Sequence, residues 1–232
     1  MPSVLDLEQS VIGWRVVSLD IEAALAGQGL PRDARPGGSV MAAACQAVEA
    51  APGLVDFRFV RTCASIAHRR ATGVDLTTGV IEGEAIACAL DGADLVVAVV
   101  CTIGPLLERR VSALLASDPL LALAFDGLGS VACERLAGTL CGEIEEQAAE
   151  RGMGVTGPLA PGMIGWPLLE AQRQVFALAD PAPIGVVLTP VGQMLPRKSL
   201  SFLVGAGAGV QARTTCVACG ARDRCKFRPN HA

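Results

Sequence analysis

Tyrosine is missing from this 232-residue sequence, histidine occurs twice, and aromatic residues make up only 3% of it. A chain so short of flat rings has little with which to stack nucleobases, and its core must be packed with Ala, Val, Leu and Ile. Positive charge is also scarce: 19 Lys and Arg against 23 Asp and Glu leave a net charge of −4. Neutralising a phosphate backbone needs the opposite surplus, so nucleic acid is not an expected partner. Long apolar runs are lacking too, despite 51% apolar residues and a mean hydropathy of +0.46. The longest candidate, Leu95 to Leu107, is broken by Gly104–Pro105. A spanning helix needs about 20 apolar residues, so this run reads as a buried strand leading into a helix, with no membrane partner. The opening MPSVLDLEQS carries acid where a signal peptide wants base, and the expected location is the cytoplasm.

What is present is a mixture of helical and strand patterns. Asp20 to Leu25 reads as a short helix, PRDARPGGS from Pro31 breaks it, and Val40 to Ala50 resumes. Leu54 to Val60 partly alternates and predicts a half-buried strand. Val80 to Glu84 reads as an edge strand, Ala85 to Leu90 as a helix, and Leu95 to Cys101 as a fully buried strand. Helical periodicity returns over Gly104 to Ala116. Asp118–Pro119 supplies an N-cap followed by Pro at the first helical position, and opens a helix running to Arg151 with Gly152 at its end. Gly127, Gly129, Gly138 and Gly142 are expected to let neighbours come close. Thr156 to Pro167 is a Pro- and Gly-rich loop, Leu168 to Ala179 a helix, Ile184 to Leu188 a strand, Thr189 to Lys198 a second loop, and Ser199 to Val210 an apolar stretch. No repeat and no regular β–α alternation emerges, so the expected class is α+β. One domain over residues 1–212 followed by a cysteine-rich tail, 213–232, is the expected organisation.

Nine cysteines are many for a reducing compartment. Cys45, Cys63, Cys88, Cys101, Cys133 and Cys141 lie in apolar segments, where a thiol behaves as a small buried hydrophobe. Cys216, Cys219 and Cys225 differ: a CxxC pair and a third thiol follow one another among Arg213, Arg222, Arg224, Lys226 and Arg228. Positive surroundings favour thiolate and offset a cluster's negative charge. The pattern points to a metal centre, iron–sulfur (a four-iron cluster) ahead of zinc. Its fourth ligand is open among Cys63, Cys101 and His231, or one iron is left without a protein ligand. The glycine run Gly205 to Gly209 leads to these cysteines rather than into a helix, so it reads as a Gly-rich strand or turn and not a dinucleotide site. His68, between Ala67 and Arg69, reads as a solvated loop residue, and Asp126 and Glu134 as packing or ion-pair groups sharing a helix face.

The blocks APGMIGWPLLEAQRQVFALAD and IGVVLTPVGQMLPRKSLSFLVG resemble the activation domain of cobalamin-dependent methionine synthase and its small stand-alone relatives. The matching positions are Pro161, Gly162, Trp166, Pro167, Gln172, Leu188, Thr189, Met194, Pro196, Ser199 and Ser201. Upstream, VVCTIGPLLERRV and FDGLGSVACERLA resemble the family's T-x-G and D-x-x-G-x-x-x-x-E segments, and the likeness spans roughly residues 80 to 228. It implies a C-shaped α+β domain serving corrinoid methyltransferases. The loop residues Ala160, Pro161, Gly162, Met163, Trp166, Thr189, Met194, Arg197 and Lys198 would then meet ligand or partner. The partners implied are a corrinoid protein carrying cobalamin and a reduced electron donor.

Departures from the pattern are chemical. Pro158 stands where the family has Arg, Met163 where it has Tyr, and Phe202 where it has Gly. Loss of the Arg removes a bidentate carboxylate anchor, which argues against S-adenosylmethionine held in the family's manner. The expected function is therefore an accessory or reactivation protein of a corrinoid methyltransferase, with an iron–sulfur tail. The alternatives are a stand-alone S-adenosylmethionine-dependent reductive methylase and a zinc-stapled assembly module.

Overall fold

The structure is a computed structural model that describes residues 10–31, 33, 35–163 and 165–210. Its centre is a seven-stranded antiparallel sheet. In chain order the strands are β1 (Ser10–Trp14), β2 (Arg58–Arg70), β3 (Gly73–Leu76), β4 (Gly79–Glu82), β5 (Leu95–Thr102), β6 (Gly154–Val155) and β9 (Ser199–Gly207). They lie side by side as β4-β3-β2-β5-β9-β6. The long β2 pairs β5 through its first half, while its other edge carries β1 and then β3. Strands β7 (Val187–Leu188) and β8 (Met194–Leu195) form a separate small hairpin.

Helices α1 (Ile21–Gly27), α2 (Gly38–Ala50), α4 (Leu106–Leu114) and α5 (Pro119–Glu150) cover one face of the sheet, and α3 (Glu84–Ala89) and α6 (Leu168–Leu178) belong to the other. Because strand side chains alternate, the all-buried β5 feeds both faces. Leu95, Val97, Val99 and Cys101 enter the α5 core, and Val96, Ala98 and Val100 enter the α6 core. This is why its sequence is apolar without a break.

The helix start expected at Asp118–Pro119 is where the sequence put it, while Asp20, expected inside its helix, caps it instead. Asp20 accepts a hydrogen bond from the Ala23 amide (2.7 Å), and Asp118 one from Leu121 (3.0 Å). The Asp20 carboxyl is held low by the Ala23 bond and then by Arg135. Helix α5 is apolar nearly all round in its first half because it is roofed by α1, α2 and α4 and floored by the sheet. At Gly127 the roof comes down to backbone contact, for a Cβ there would stand 2.6 Å from the carbonyl carbon of Gly27. Gly129 likewise leaves room for Leu107, but Gly138 and Gly142 face open space and serve no close approach.

Other expectations are corrected. The strand expected over Leu54 to Val60 starts at Arg58, because Leu54 and Val55 still donate to the Ala51 carbonyl in a tight turn after α2. It runs on to Arg70, so His68 is an exposed strand residue paired with Asp75 rather than a loop residue. Of the strand expected over Ile184 to Leu188, only Val187–Leu188 forms, since residues 182–184 make a 3-10 turn. The loop expected over Thr189 to Lys198 contains β8, folded back by the Thr189 amide donating to the Gln193 carbonyl (2.8 Å). The apolar stretch from Ser199 and most of the glycine run become the inner strand β9, as a Gly-rich strand. No helix among the described residues is long and apolar enough to cross a membrane.

Candidate functional site

The two loops singled out in the sequence meet at the start of α6. Gly162 sits against Leu168 and Gly192 against Leu169, each within contact distance of where a Cβ would be. The first loop is a compact double turn. The Met163 amide donates to the Ala160 carbonyl (3.2 Å), Trp166 to Met163 (3.0 Å), and Gly162 to Trp166 (3.0 Å). Gly165 has a φ of +77°, and a Cβ there would lie 2.6 Å from that of Ala85, so both conformation and space demand glycine.

Within this turn the residues divide. Trp166 is 1% exposed, its indole Nε1 donating to Gln174 Oε1 (3.2 Å), and it anchors the loop in the α6 core instead of facing a ligand. Met163 and Met194 are half-buried against the same core. Thr189 is spent on the hairpin, where its hydroxyl accepts from the Gln193 amide (3.0 Å). Ala160 and Gly162 are exposed and Pro161 half-buried. Beside them stand Leu168, Val187, Val191 and Leu195, at 48, 54, 75 and 41% exposure, an apolar rim that sequence reasoning did not single out. The hairpin tip owes this exposure to β7 and β8 pairing with one another and not with the main sheet.

Behind the loops runs a buried polar seam. Ser201 of β9 donates to Gln172 Oε1 of α6 (2.8 Å), both side chains being buried. Ser199 donates to the Pro196 carbonyl (2.7 Å) and lies 2.9 Å from the Thr102 hydroxyl, which accepts from the Gly104 amide (3.1 Å). Buried hydroxyls and amides cost free energy unless paired, so these pairs fix how α6 and the hairpin sit on the strands. The Leu195–Pro196 peptide is cis.

Lys198 and Arg197, expected to meet ligand or partner, also have partners within the fold. Lys198 Nζ lies 2.8 Å from Asp126 Oδ1 and 2.8 Å from Ser130 Oγ, both on α5. Glu134, two turns on, is pushed up by burial, the Lys198 charge pulling it partly back. The Arg197 amide donates to Glu108 Oε2 (2.8 Å), while its guanidinium is half-exposed. The T-x-G, D-x-x-G-x-x-x-x-E and P-x-x-S segments are thus brought together as one bracket between α4, α5 and β9.

Cys216, Cys219, Cys225 and His231 lie outside the described residues. Cys63 and Cys101 are buried in the α5 core at 1 and 0% exposure. The Cys101 thiol is driven well up by its hydrogen bond with Cys133 and by burial, and Cys141 is pushed up to about 11 by burial. Such thiols resist becoming the thiolates a metal needs. Among the described residues no group of three or more His, Cys, Asp and Glu is arranged to hold a metal.

A second charged group was not foreseen. Arg61, mid-strand in β2 and 3% exposed, donates to Glu143 of α5 (2.9 Å), which Arg15 also grips at 2.5 and 2.7 Å. Both guanidinium groups lie over the Phe59 ring, at 4.8 and 5.3 Å from its centroid. The Arg15 hydrogen bond, then its charge and those of Arg61, hold the Glu143 carboxyl low. Burial pulls Arg61 down, and among the described residues its Nε has no partner. An arginine amid LVDFRFV and CAS was the available signal.

No family model and no curated protein matches this chain. Among solved structures it is similar to the MetH reactivation domain bound to AdoHcy, with a TM-score of 0.65 over 92% of this chain and 83% of that one, at 16% identity. The fold is that of this reactivation domain.

Proposed function

We propose that this protein is an accessory factor that returns a corrinoid methyltransferase to its active state. The observation that carries the reading is the shared fold over nearly the whole chain, joined to the meeting of the Pro161 and Val191 loops at the start of α6. The activation domain that the sequence blocks resemble belongs to a cobalamin-dependent methionine synthase, and function on a shared fold is an analogy that the site must support. The apolar rim of Leu168, Val187, Val191 and Leu195 supplies a face for a partner to cover. It is held rigid from behind by Trp166, Gln172 and the Lys198–Asp126 pair, as a docking face needs.

The tail completes the proposal. Thiolates of Cys216, Cys219 and Cys225 would hold an iron–sulfur cluster, which would relay single electrons from a reduced donor protein to an oxidised cobalt on the partner. His231, or an iron left without a protein ligand, is the better completion, since Cys63 and Cys101 are sealed in the core and Cys101 is tied to Cys133. A second reading, direct methylation by S-adenosylmethionine, draws support from the AdoHcy bound to the neighbour and from the exposed Ala160 and Gly162. Pro158 offers no carboxylate anchor in its support.

Anaerobic purification with iron, sulfide and zinc analysis tests the proposal. Iron, sulfide and a broad band near about 400 nm, bleached by a low-potential reductant and restored on adding an oxidised corrinoid protein, are the expected result. One zinc and no colour would turn the tail into a structural clip and the protein into an assembly module. Heat released on titration with S-adenosylmethionine would instead favour the methylase.

A further inference from the structure

The outer edge of β1 is built to pair. Among the described residues β1 has one neighbour, β2, and its other edge is open. The Arg15 amide donates to the Phe57 carbonyl (3.1 Å), continuing the β1–β2 ladder. Antiparallel ladders alternate, so the backbone groups of Val11, Gly13 and Arg15 face β2, and those of Ser10, Ile12 and Trp14 face outward. The side chains of the same even-numbered residues share one face of the sheet, as the Ser10–Thr62 hydroxyl contact at 2.8 Å confirms. There Ile12 is 50% exposed, Trp14 75%, and Val16, continuing the series, 96%.

Exposed edges are normally guarded by charge, proline or a bulge. The five residues Ser10 to Trp14 contain neither a charge nor a proline, and their register with β2 runs without a shift. An open, uncharged, apolar edge beside a large aromatic side chain is a template for another strand.

We infer that β1 pairs with β1 of a second copy of this chain, antiparallel across a two-fold axis at Gly13. That register sets Ile12 opposite Trp14 of the second copy, twice by symmetry, and Ser10 opposite Val16. It joins outward-facing backbone groups only to outward-facing ones. Aromatic against β-branched is a favourable cross-strand pair, no like charges meet across the axis, and the patch is self-complementary, as a two-fold interface requires. The two main sheets become one continuous sheet. The side chains of Ile12, Trp14 and Val16 would bury roughly 400 Å² per copy, about half a standard interface. The dimer is accordingly a weak one, dissociating in the micromolar range.

Sedimentation velocity on the full chain from about 1 to 200 μM, a span around the expected dissociation constant, tests this together with residue-resolved hydrogen exchange. The expected result is a monomer–dimer equilibrium that Trp14→Lys and Ile12→Lys each weaken at least tenfold. Because both side chains point into solvent, circular dichroism of these variants should match that of the parent protein. The amides of Ile12 and Trp14 should gain protection as concentration rises, while those of Gly13 and Arg15 stay protected throughout. A monomer at every concentration overturns the proposal, as does a dimer indifferent to both substitutions. Concentration-independent protection of Ile12 and Trp14 overturns it too, because the edge would then be occupied by this chain itself.

Discussion

On the α5 side of the sheet, backbone lies on backbone: Gly27 against Gly127, with alanines 23, 24, 43, 44 and 47 filling what remains. On the α6 side the spacing is kept by long side chains and directed bonds, Trp166 to Gln174 and Gln172 to Ser201. The first arrangement leaves no freedom to shift and buries its charge in one Arg15–Glu143–Arg61 group. The second leaves loops at its margin whose apolar tips are uncovered. One face therefore holds the molecule together while the other has surface to offer.

That contrast can be broken most forcefully at Gly127. Gly127→Val drives a branched side chain into the Gly27 backbone and should cost at least about 3 kcal/mol, read as a fall in the urea midpoint. A loss under about 1 kcal/mol, the lower limit for overpacking, would show that α1 can move and that the α5 side is not the rigid one.

Next in size is Glu143→Leu, which strands the buried Arg61 and should cost about 3 kcal/mol. The same group gives a pH signature. Its carboxyl is held below the ordinary range, so its contribution is whole above about pH 4.3 and is lost as pH falls through the lowered value. Stability of the parent protein should drop across that window more steeply than that of Glu143→Gln. Parallel curves would remove the ion group from the account of this face.

On the α6 side, Gln172→Ala leaves the Ser201 hydroxyl buried without its acceptor, at about 1 to 2 kcal/mol. Thermal unfolding measures the loss, and faster amide exchange at Gly192 and Gln193 should accompany it. The smallest effect on stability is expected from Val191→Lys, within about 0.5 kcal/mol. Yet reduction of the corrinoid partner should slow at least tenfold, seen as the cobalt spectrum over time. An unchanged rate would move the docking face elsewhere.

Much of this frame was readable from residues. Asp118 and Pro119 announced their helix, and the unbroken LVVAVVC announced a strand covered on both sides. The loops Pro161–Trp166 and Thr189–Lys198 were found by their Pro and Gly content and by the family resemblance, but their inner workings were not. A tryptophan in a Gly-rich loop reads the same whether it stacks on a ligand or plugs a core, and only the fold shows Trp166 buried. The bracing of Lys198 was not legible because its partners Asp126 and Ser130 are some seventy residues earlier in the chain. Strand β1 was missed because half of its short alternation faces solvent with Ile12 and Trp14, which imitates neither a buried strand nor a polar edge.

The hairpin's last residues carry a mechanical consequence. Arg197 is tied to α4 through Glu108, and Lys198 to α5 through Asp126 and Ser130, immediately after the chain leaves β8. The tip at Val191 is thus the free end of a short lever whose fulcrum is clamped to two helices of the opposite layer. Ser130 lies one turn before Cys133, the hydrogen-bond partner of Cys101. A load applied at the tip is delivered to the middle of the longest helix and to the thiol pair beneath it, rather than dissipated in the loop.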